Sequence, residues 1–355
     1  MIQGTTELTE AGYRAIKRDS YSSIKDFSMD RKKYFRKYIT NEIIPEEEEE
    51  KDTKASVIGR LVETLLMESN RFDELFYMSA CMSTPTGLML AFVEALYVVT
   101  RNATNDDGVV TRDFEELSKE AYTQSGYKIL YPAVIGKFTG SDAEVYYNEI
   151  RLVRAKNLTV VTMQDVSNAE KIVEELKTNP ITATIVNLTN SARYTVENQM
   201  KIEEYVVDGH IFKSMLDKVI IDHVQKSIQI YDLKCVWTVE GFYKEYYTYR
   251  RAYIQAFLYC RAMLAITLDV NNPLYGYNVY PPSFIVCDST NYFSPLIYTL
   301  SMEDLQEAYN GFEYMGKQYP GVKEIIKNLQ WALDMNIWNI SRENYLKKGV
   351  TNIKE

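Results

Sequence analysis

The residue types best suited to chemistry stand close together: Asp217, Asp232 and Lys234, within KSMLDKVIIDHVQKSIQIYDLKCV. Two carboxylates and an amine converging on a strand edge suit metal-assisted hydrolysis. The carboxylates hold Mg²⁺ or Mn²⁺ through hard oxygen ligands, and the lysine orients or deprotonates the attacking water. The runs FKSMLDKVII and SIQIYDLKCV, joined by the polar stretch His223-Val224-Gln225-Lys226, predict a hairpin. An acid in each strand can then meet the other across the sheet. Period-two alternation places Asp232 and Lys234 on one face.

An acid-x-Lys triplet alone carries no weight. Asp30-Arg31-Lys32, Glu49-Glu50-Lys51, Asp52-Thr53-Lys54 and Glu175-Leu176-Lys177 have the same form, in charged or helical surroundings where a solvated face explains them. Only Asp232-Leu233-Lys234 closes an apolar run and follows a second strand with an acid. The alternative is an exposed Asp–Lys pair on an edge strand, normally worth little.

The stretch EGFYKEYYTYRRAYIQAFLYCRAMLAI predicts an aromatic-rich helix with Gln255 and Tyr259 four apart on one face. Ala256, Leu258, Ala262 and Met263 serve its buried side. In the order strand–Asp, strand–Asp-x-Lys, helix–Gln-x-x-x-Tyr, the chain resembles the RecB-like branch of the PD-(D/E)xK nuclease superfamily. Within it, the resemblance is to phage-type recombination exonucleases of the exodeoxyribonuclease VIII and lambda exonuclease type. Upstream, SYSSIKDFSMDRKKYFRKYI resembles the opening helix of that family. SVIGRLVETLLMES resembles its Gly-x-x-x-His helix, and VTMQDVSNAEKIVEELKTNP the helix before the core sheet. The resemblance touches residues 20–70 and 160–265.

Two positions depart from the pattern. Leu216 stands where the motif has proline, which supplies no ligand. Glu63 stands at the histidine position, where a carboxylate still suits a hard cation. The competing reading of Glu63 is a solvated residue beside Arg60, against which its apolar neighbours Leu61, Val62, Leu65 and Leu66 argue. The family has a glutamate on the strand before Asp217. Glu197, Glu203 and Glu204 are candidates, Glu197 preferred by its distance from the turn.

The resemblance implies a metal-dependent deoxyribonuclease, an exonuclease on linear duplex DNA. Asp217 and Asp232 would hold one or two cations, with the Leu233 carbonyl as a further ligand and Glu63 completing the shell. Lys234 would position the water, and Gln255 and Tyr259 would brace the site. The implied setting is phage recombination, with a single-strand annealing protein as partner; a homo-oligomer is compatible with it. An endonuclease of the same superfamily and a catalytically silent DNA-binding or assembly module with this fold remain alternatives.

The net charge of −9 argues against a simple nucleic-acid coat protein. A metal-dependent nuclease meets that objection in part, since bound cations neutralise its acidic site. Local basicity is expected from Arg31, Lys32, Lys33, Arg36 and Lys37, interleaved with aromatics, and from Arg250 and Arg251, as phosphate contacts. An ordinary solvated helix face is the alternative, above all for the second group. Most of the 29 tyrosines are read as amphipathic core edge.

Four scattered cysteines, none in Cys-x-x-Cys, and two histidines argue against an iron–sulfur cluster and a zinc site. Reduced thiols and an N-terminus without an apolar signal core suggest the cytoplasm, that of a bacterial host if phage-encoded. The run GLMLAFVEALYVV is too short for a bilayer and contains Glu94, so it reads as a buried helix.

The fold expected is α/β: a PD-(D/E)xK restriction-endonuclease-like core with a mixed central sheet flanked by helices. One domain is expected over 1–355. It comprises N-terminal helices at 20–70, a helical insertion at 85–156 packed on the core, a catalytic core at 160–300 and C-terminal helices at 301–355. Residues 1–20 read as a polar lead-in, one helix is expected over Ser22–Tyr38, and IPEEEEEKDTK reads as a solvated linker. Ser56 reads as the cap of the next helix. EDLQEAYNGFEYMGKQYP and EIIKNLQWALDMN read as closing helices.

Overall fold

The computed structural model describes residues 8–42, 54–81 and 83–350. They form two compact units, Met1–Glu68 with Ala169–Glu355, and Ser69–Asn168. The larger unit is α/β, with a mixed sheet flanked by helices. Its strands are β1 (Tyr194–Val207), β2 (His210–Asp222), β3 (Ser227–Val236), β4 (Asn278–Val279), β5 (Ser283–Asp288) and β6 (Leu296–Thr299). The order is β1-β2-β3-β5-β6, with β4 beside β3. β3 runs parallel to β4 and β5, and the remaining pairs are antiparallel.

The turns follow from local chemistry. Asp208 and Gly209 join β1 to β2 with φ of 49° and 77°. Two consecutive left-handed residues suit the right-handed strand twist, and Asp-Gly adopts them most readily. The His223–Lys226 turn joins β2 to β3 and ends with Lys226 at φ 50°. Every residue of β5 is buried, as expected of a strand covered on both faces.

Helix Ala252–Thr267 is buried along nearly its whole length, including Tyr253, Ile254, Leu258 and Met263. A helix apolar on all sides needs cover on all sides. It shares one core with Phe212, Leu216 and Ile230 of the sheet and with Leu305 and Ile326 of the closing helices. Ala256, Leu258, Ala262 and Met263 are buried as expected. Helix Lys54–Met67 buries Ile58, Leu61, Val62 and Thr64. Gly59 lets it come close to β3: a Cβ there would lie 3.3 Å from Cys235 Cβ.

The smaller unit has its own core, built on Phe92, Leu96, Phe138, Tyr147 and Ile150. Its helices include Gly87–Asn102, Phe114–Gln124 and Asp142–Lys156. The expected insertion at 85–156 is thus most of a compact unit of its own, which begins at Ser69 and ends at Asn168. The wider bounds arise because Phe76–Met78 pairs with Thr159–Val161 and closes the unit. Helix Tyr131–Phe138 belongs to it as well.

Other expectations need correction. The polar lead-in contains helix Glu10–Ala15, capped by Thr9. The single helix over Ser22–Tyr38 is divided: Tyr21–Met29 stops, and Asp30 caps a new turn by accepting from the Lys32 and Lys33 N–H groups. Asp30 competes for backbone donors that an unbroken helix would use. Ser56 lies inside helix Lys54–Met67, not at its cap. The expected linker IPEEEEEKDTK lies outside the described residues except for Lys54, which begins helix Lys54–Met67. Beyond helix Met302–Asn310, the second half of EDLQEAYNGFEYMGKQYP is a hairpin, Gly311–Tyr314 with Lys317–Pro320, turning at Met315 and Gly316. Among the described residues no helix is long and apolar enough to cross a membrane.

Candidate active site

The β2–β3 ladder pairs Asp222 with Ser227 and continues to Lys218 with Tyr231, where it stops. One more step in that register would set Asp217 opposite Asp232. Instead, Asp217 Oδ2 accepts a 2.9 Å hydrogen bond from the backbone N–H of Leu233. From Tyr231 onward β3 takes β5 as its partner, through Val236–Asp288. The two acids therefore sit where β3 parts from β2 on one edge while it pairs with β5 on the other.

Asp232 is 1% exposed. Its Oδ1 accepts from Gln255 Nε2 at 2.7 Å, and its Oδ2 faces the ammonium of Lys234. Gln255 Nε2 also lies 2.9 Å from the Tyr259 hydroxyl, while the buried Gln255 Oε1 has no hydrogen-bond partner. The Gln-x-x-x-Tyr spacing thus joins two successive helical turns to Asp232. Lys234 lies 5.9 Å from the centre of the Phe284 ring on β5. The structure brings Asp217, Asp232, Leu233, Lys234, Gln255 and Tyr259 into one cluster.

Glu63 belongs to the same electrostatic neighbourhood. Its Oε1 accepts a 2.6 Å hydrogen bond from Gln199 Nε2. Burial holds its carboxyl above the usual range, and the charges of Asp232 and Glu10 add to that; Gln199 and Lys234 oppose it. The Asp217 carboxyl is pushed well above the ordinary carboxylate value. Burial is the main cause, followed by Asp232 and Glu63, with Lys234 and the Leu233 N–H pulling partly the other way. Burial also raises the Tyr259 phenol well above its ordinary value, and Asp217 and Asp232 contribute. One lysine thus faces three crowded carboxylates.

That excess of negative charge, presented on hard oxygens, fits a hard divalent cation. Among the described residues, no group of three or more His, Cys, Asp or Glu side chains is placed to hold a metal ion. The carboxylate oxygens are instead engaged by Leu233, Gln255, Lys234 and Gln199.

From β1 the residue that reaches this cluster is Gln199, not the expected glutamate. The β1–β2 register pairs Asn198 with Lys218 and Met200 with Leu216, which sets Gln199 opposite Asp217. Gln199 is buried with φ 50°, a left-handed backbone uncommon for any residue but glycine. Its signal in the sequence is weak, because neither alternation nor charge marks it. Glu197 pairs with Val219 two positions away. Glu204 is ion-paired with Arg18, whose guanidinium also donates to the Glu203 carbonyl.

The basic residues expected to meet DNA are largely engaged within the protein. Lys33 and Lys37 each lie 3.5 Å from a carboxylate oxygen of Asp26, and Arg36 pairs with Glu42 at 3.0 Å. Arg31 lies over the Phe27 ring at 5.6 Å, and Lys32 is exposed. Arg250 pairs with Glu245 at 2.6 Å, and its carbonyl accepts from the Tyr21 hydroxyl. Arg251 donates to the Ser28 carbonyl. The last two tie helix Tyr21–Met29 to the start of the Gln255 helix, a structural use that their adjacency in sequence does not reveal.

No protein-family model matches the chain, and no curated protein matches it by sequence. Among solved structures it is similar to a protein described as "Putative exonuclease" from Eubacterium rectale. The two are 11% identical, the alignment covers 98% of this chain and 89% of the other, and the TM-score is 0.45.

Proposed function

We propose that the protein is a metal-dependent deoxyribonuclease of the PD-(D/E)xK type, acting as an exonuclease on linear duplex DNA. One observation carries the reading. At the point where β3 parts from β2, two buried aspartates, a lysine two residues on and a glutamate from a facing helix share one field, with too little positive charge among them. Such a cluster costs stability unless a cation joins it.

In this reading Asp217, Asp232 and Glu63 hold Mg²⁺ or Mn²⁺, with the Leu233 carbonyl as a further oxygen ligand. The cation, when bound, supplies Lewis-acid activation of water and stabilises charge on the leaving oxygen. The chain does the rest. Lys234 keeps its ammonium against Asp232 and reaches toward the scissile phosphate, where it orients the attacking water. Gln255 fixes the Asp232 carboxylate through Oδ1, and Tyr259 fixes Gln255. Gln199 holds Glu63 from β1. The apolar core around the Gln255 helix keeps bulk water from these contacts, which strengthens them. By the family resemblance, the setting is phage-type recombination with a single-strand annealing partner.

The test is degradation of linear duplexes in Mg²⁺, Mn²⁺ or EDTA, beside a covalently closed circle. Loss of the linear substrate in metal alone, with the circle intact, supports an exonuclease. Cutting of the circle makes the protein an endonuclease of the same chemistry. No cleavage in either metal overturns the reading.

A further inference from the structure

Beyond Lys234, β3 and β5 end side by side and present three large aromatic rings to solvent. Trp237, which follows the last residue of β3, is 71% exposed. Tyr292 and Phe293, on the loop leaving β5, are 84% and 66% exposed. The two ends are tied together: Val236 pairs with Asp288, and the Ser289 N–H donates 2.8 Å to the Val236 carbonyl. Single exposed apolar residues are ordinary on any surface. Three aromatics on adjoining strand ends are not scattered singly, and their backbone is firmly held.

Asp288 does the holding. It is 2% exposed, and its Oδ1 accepts from the Thr290 N–H at 2.8 Å and the Thr290 hydroxyl at 2.7 Å. Its Oδ2 accepts from the N–H groups of Tyr292 and Phe293, each at 3.1 Å. A buried carboxylate with four donors fixes the loop and keeps both rings at the surface instead of letting them fold inward. Immobilising the carrier backbone in advance lowers the entropic cost of binding.

We infer that Trp237, Tyr292 and Phe293 form a stacking shelf for the unpaired bases of a single DNA strand leading to the Asp232–Lys234 site. This deepens the nuclease reading and rests on it. The occupant is argued from continuity. Trp237 stands one residue past the end of β3, the strand that carries Asp232 and Lys234, and Asp288 ends the strand that partners β3 there. Bases offer flat π-faces that aromatic rings accept without regard to sequence. Stacking also needs little positive potential, which suits a chain of net charge −9 whose Lys33, Arg36 and Lys37 are engaged with acids. Were a protein partner the occupant instead, the rings would answer to protein and not to bases.

The experiment has two arms. In EDTA, the full chain is titrated into dye-labelled single-stranded oligo-dT and a labelled blunt duplex of equal length, following tryptophan emission in the parent and the anisotropy of the dye in every variant. In Mg²⁺ or Mn²⁺, hydrolysis of bis(p-nitrophenyl) phosphate reports the site without any base to stack. Expected are quenching by oligo-dT beyond that by the duplex, and binding about tenfold weaker in Trp237→Ala and in the Tyr292→Ala/Phe293→Ala double variant. Hydrolysis of the small diester should stay at the parental rate in both. Parental oligo-dT affinity in both variants overturns the shelf, as does self-association that Trp237→Ala abolishes while oligo-dT binding persists. Failure of the parent to hydrolyse the small diester counts against the nuclease reading itself. Should Trp237→Ala fail to fold, Trp237→Phe serves, since it keeps a ring and should keep most of the binding while losing the quenching signal.

Discussion

Asp19 and Asp217 are both largely covered acids beside a basic side chain, yet their surroundings treat the charge in opposite ways. Around Asp19 the donors suffice. Oδ1 accepts from Ser23 Oγ at 2.7 Å and from the Tyr34 hydroxyl at 3.0 Å, and Oδ2 lies 2.7 Å from His210 Nε2. One residue beyond Phe212, Lys213 donates to the carbonyls of Tyr13, Arg14 and Ile16. Together these contacts pin the N-terminal segment to β2. Around Asp217 there is one backbone donor, and its charged neighbours include two more acids. A carboxylate with enough donors consolidates the fold, whereas one crowded by other carboxylates keeps an unmet need for positive charge. The first cluster reads as structure and the second as a site.

The comparison breaks most sharply at Lys234. Lys234→Ala should lower cleavage of linear duplex by a hundredfold or more, on the order of losing one preorganised transition-state contact. It also strips Asp232 of its counter-charge, so the metal-free variant should be less stable at neutral pH. Divalent cation should recover that stability, because a cation can take the ammonium's place beside Asp232. Cleavage at the parental rate would remove the Asp-x-Lys reading altogether.

Asp217→Asn should abolish cleavage and weaken Mn²⁺ binding in calorimetric titration while stabilising the metal-free protein. The sign follows from the raised carboxyl. A folded-state value above the unfolded one favours the protonated form, so this contribution is present in acid and is lost as pH rises through the raised value. The advantage of Asp217→Asn over the parent, from denaturant midpoints without metal, should therefore be larger at pH 8 than at pH 5. Asp222 supplies the opposite sign. Hydrogen bonds from Arg193 lead in lowering it to about 2, so its contribution fades only as pH falls through the acid range. An Asp217→Asn advantage that grew toward acid would contradict the crowded-carboxylate picture.

At the satisfied cluster the same kind of change should act on stability alone. Asp19→Ala leaves Tyr34, Ser23 and His210 without their acceptor and should cost about 1–3 kcal/mol. The rate per folded molecule should stay within about twofold. Chemical denaturation with active-site titration separates the two effects. A large fall in rate without a fall in stability would make Asp19 part of the chemistry.

Much of the larger unit's sheet was legible, because its strands alternate or run apolar and its turns carry Asp-Gly or a polar tetrapeptide. The Asp217–Asp232–Lys234 grouping followed from hairpin register, and Gln255 with Tyr259 from helical spacing. Gln199 was not legible, since its place depends on a left-handed backbone inside a strand that no composition rule announces. The structural employment of Arg250 and Arg251 was hidden for a related reason. The Arg250 side chain pairs with nearby Glu245, but the partners that tie the two helices, the Tyr21 hydroxyl on the Arg250 carbonyl and the Ser28 carbonyl on the Arg251 guanidinium, lie more than two hundred residues earlier in the chain. Nor could periodicity separate the Met315-Gly316 hairpin from a helix, because a short aromatic run with one glycine suits either.

The smallest expected effect sharpens the comparison at its edge. Glu63 shares features of both clusters: like Asp19 it has a specific donor, Gln199, and like Asp217 it is held above its usual range beside another acid. If the site reading extends to this helix, Glu63→Ala removes one of the metal's carboxylate ligands and should slow cleavage by at least about tenfold, the lower end of the range for residues that only support such ligands. Glu63→His should recover part of the rate and do so better in Mn²⁺ than in Mg²⁺, because imidazole is the softer donor. Glu63→Gln keeps the shape and can still accept from Gln199, so it isolates the charge. It should slow the reaction as Glu63→Ala does while leaving the metal-free protein as stable as the parent or slightly more so. Rates of the four proteins in each metal decide the matter. Equal rates throughout would confine the site to β2, β3 and the Gln255 helix, leaving the Glu63–Gln199 bond to act as Asp19 does, in holding a helix against the sheet.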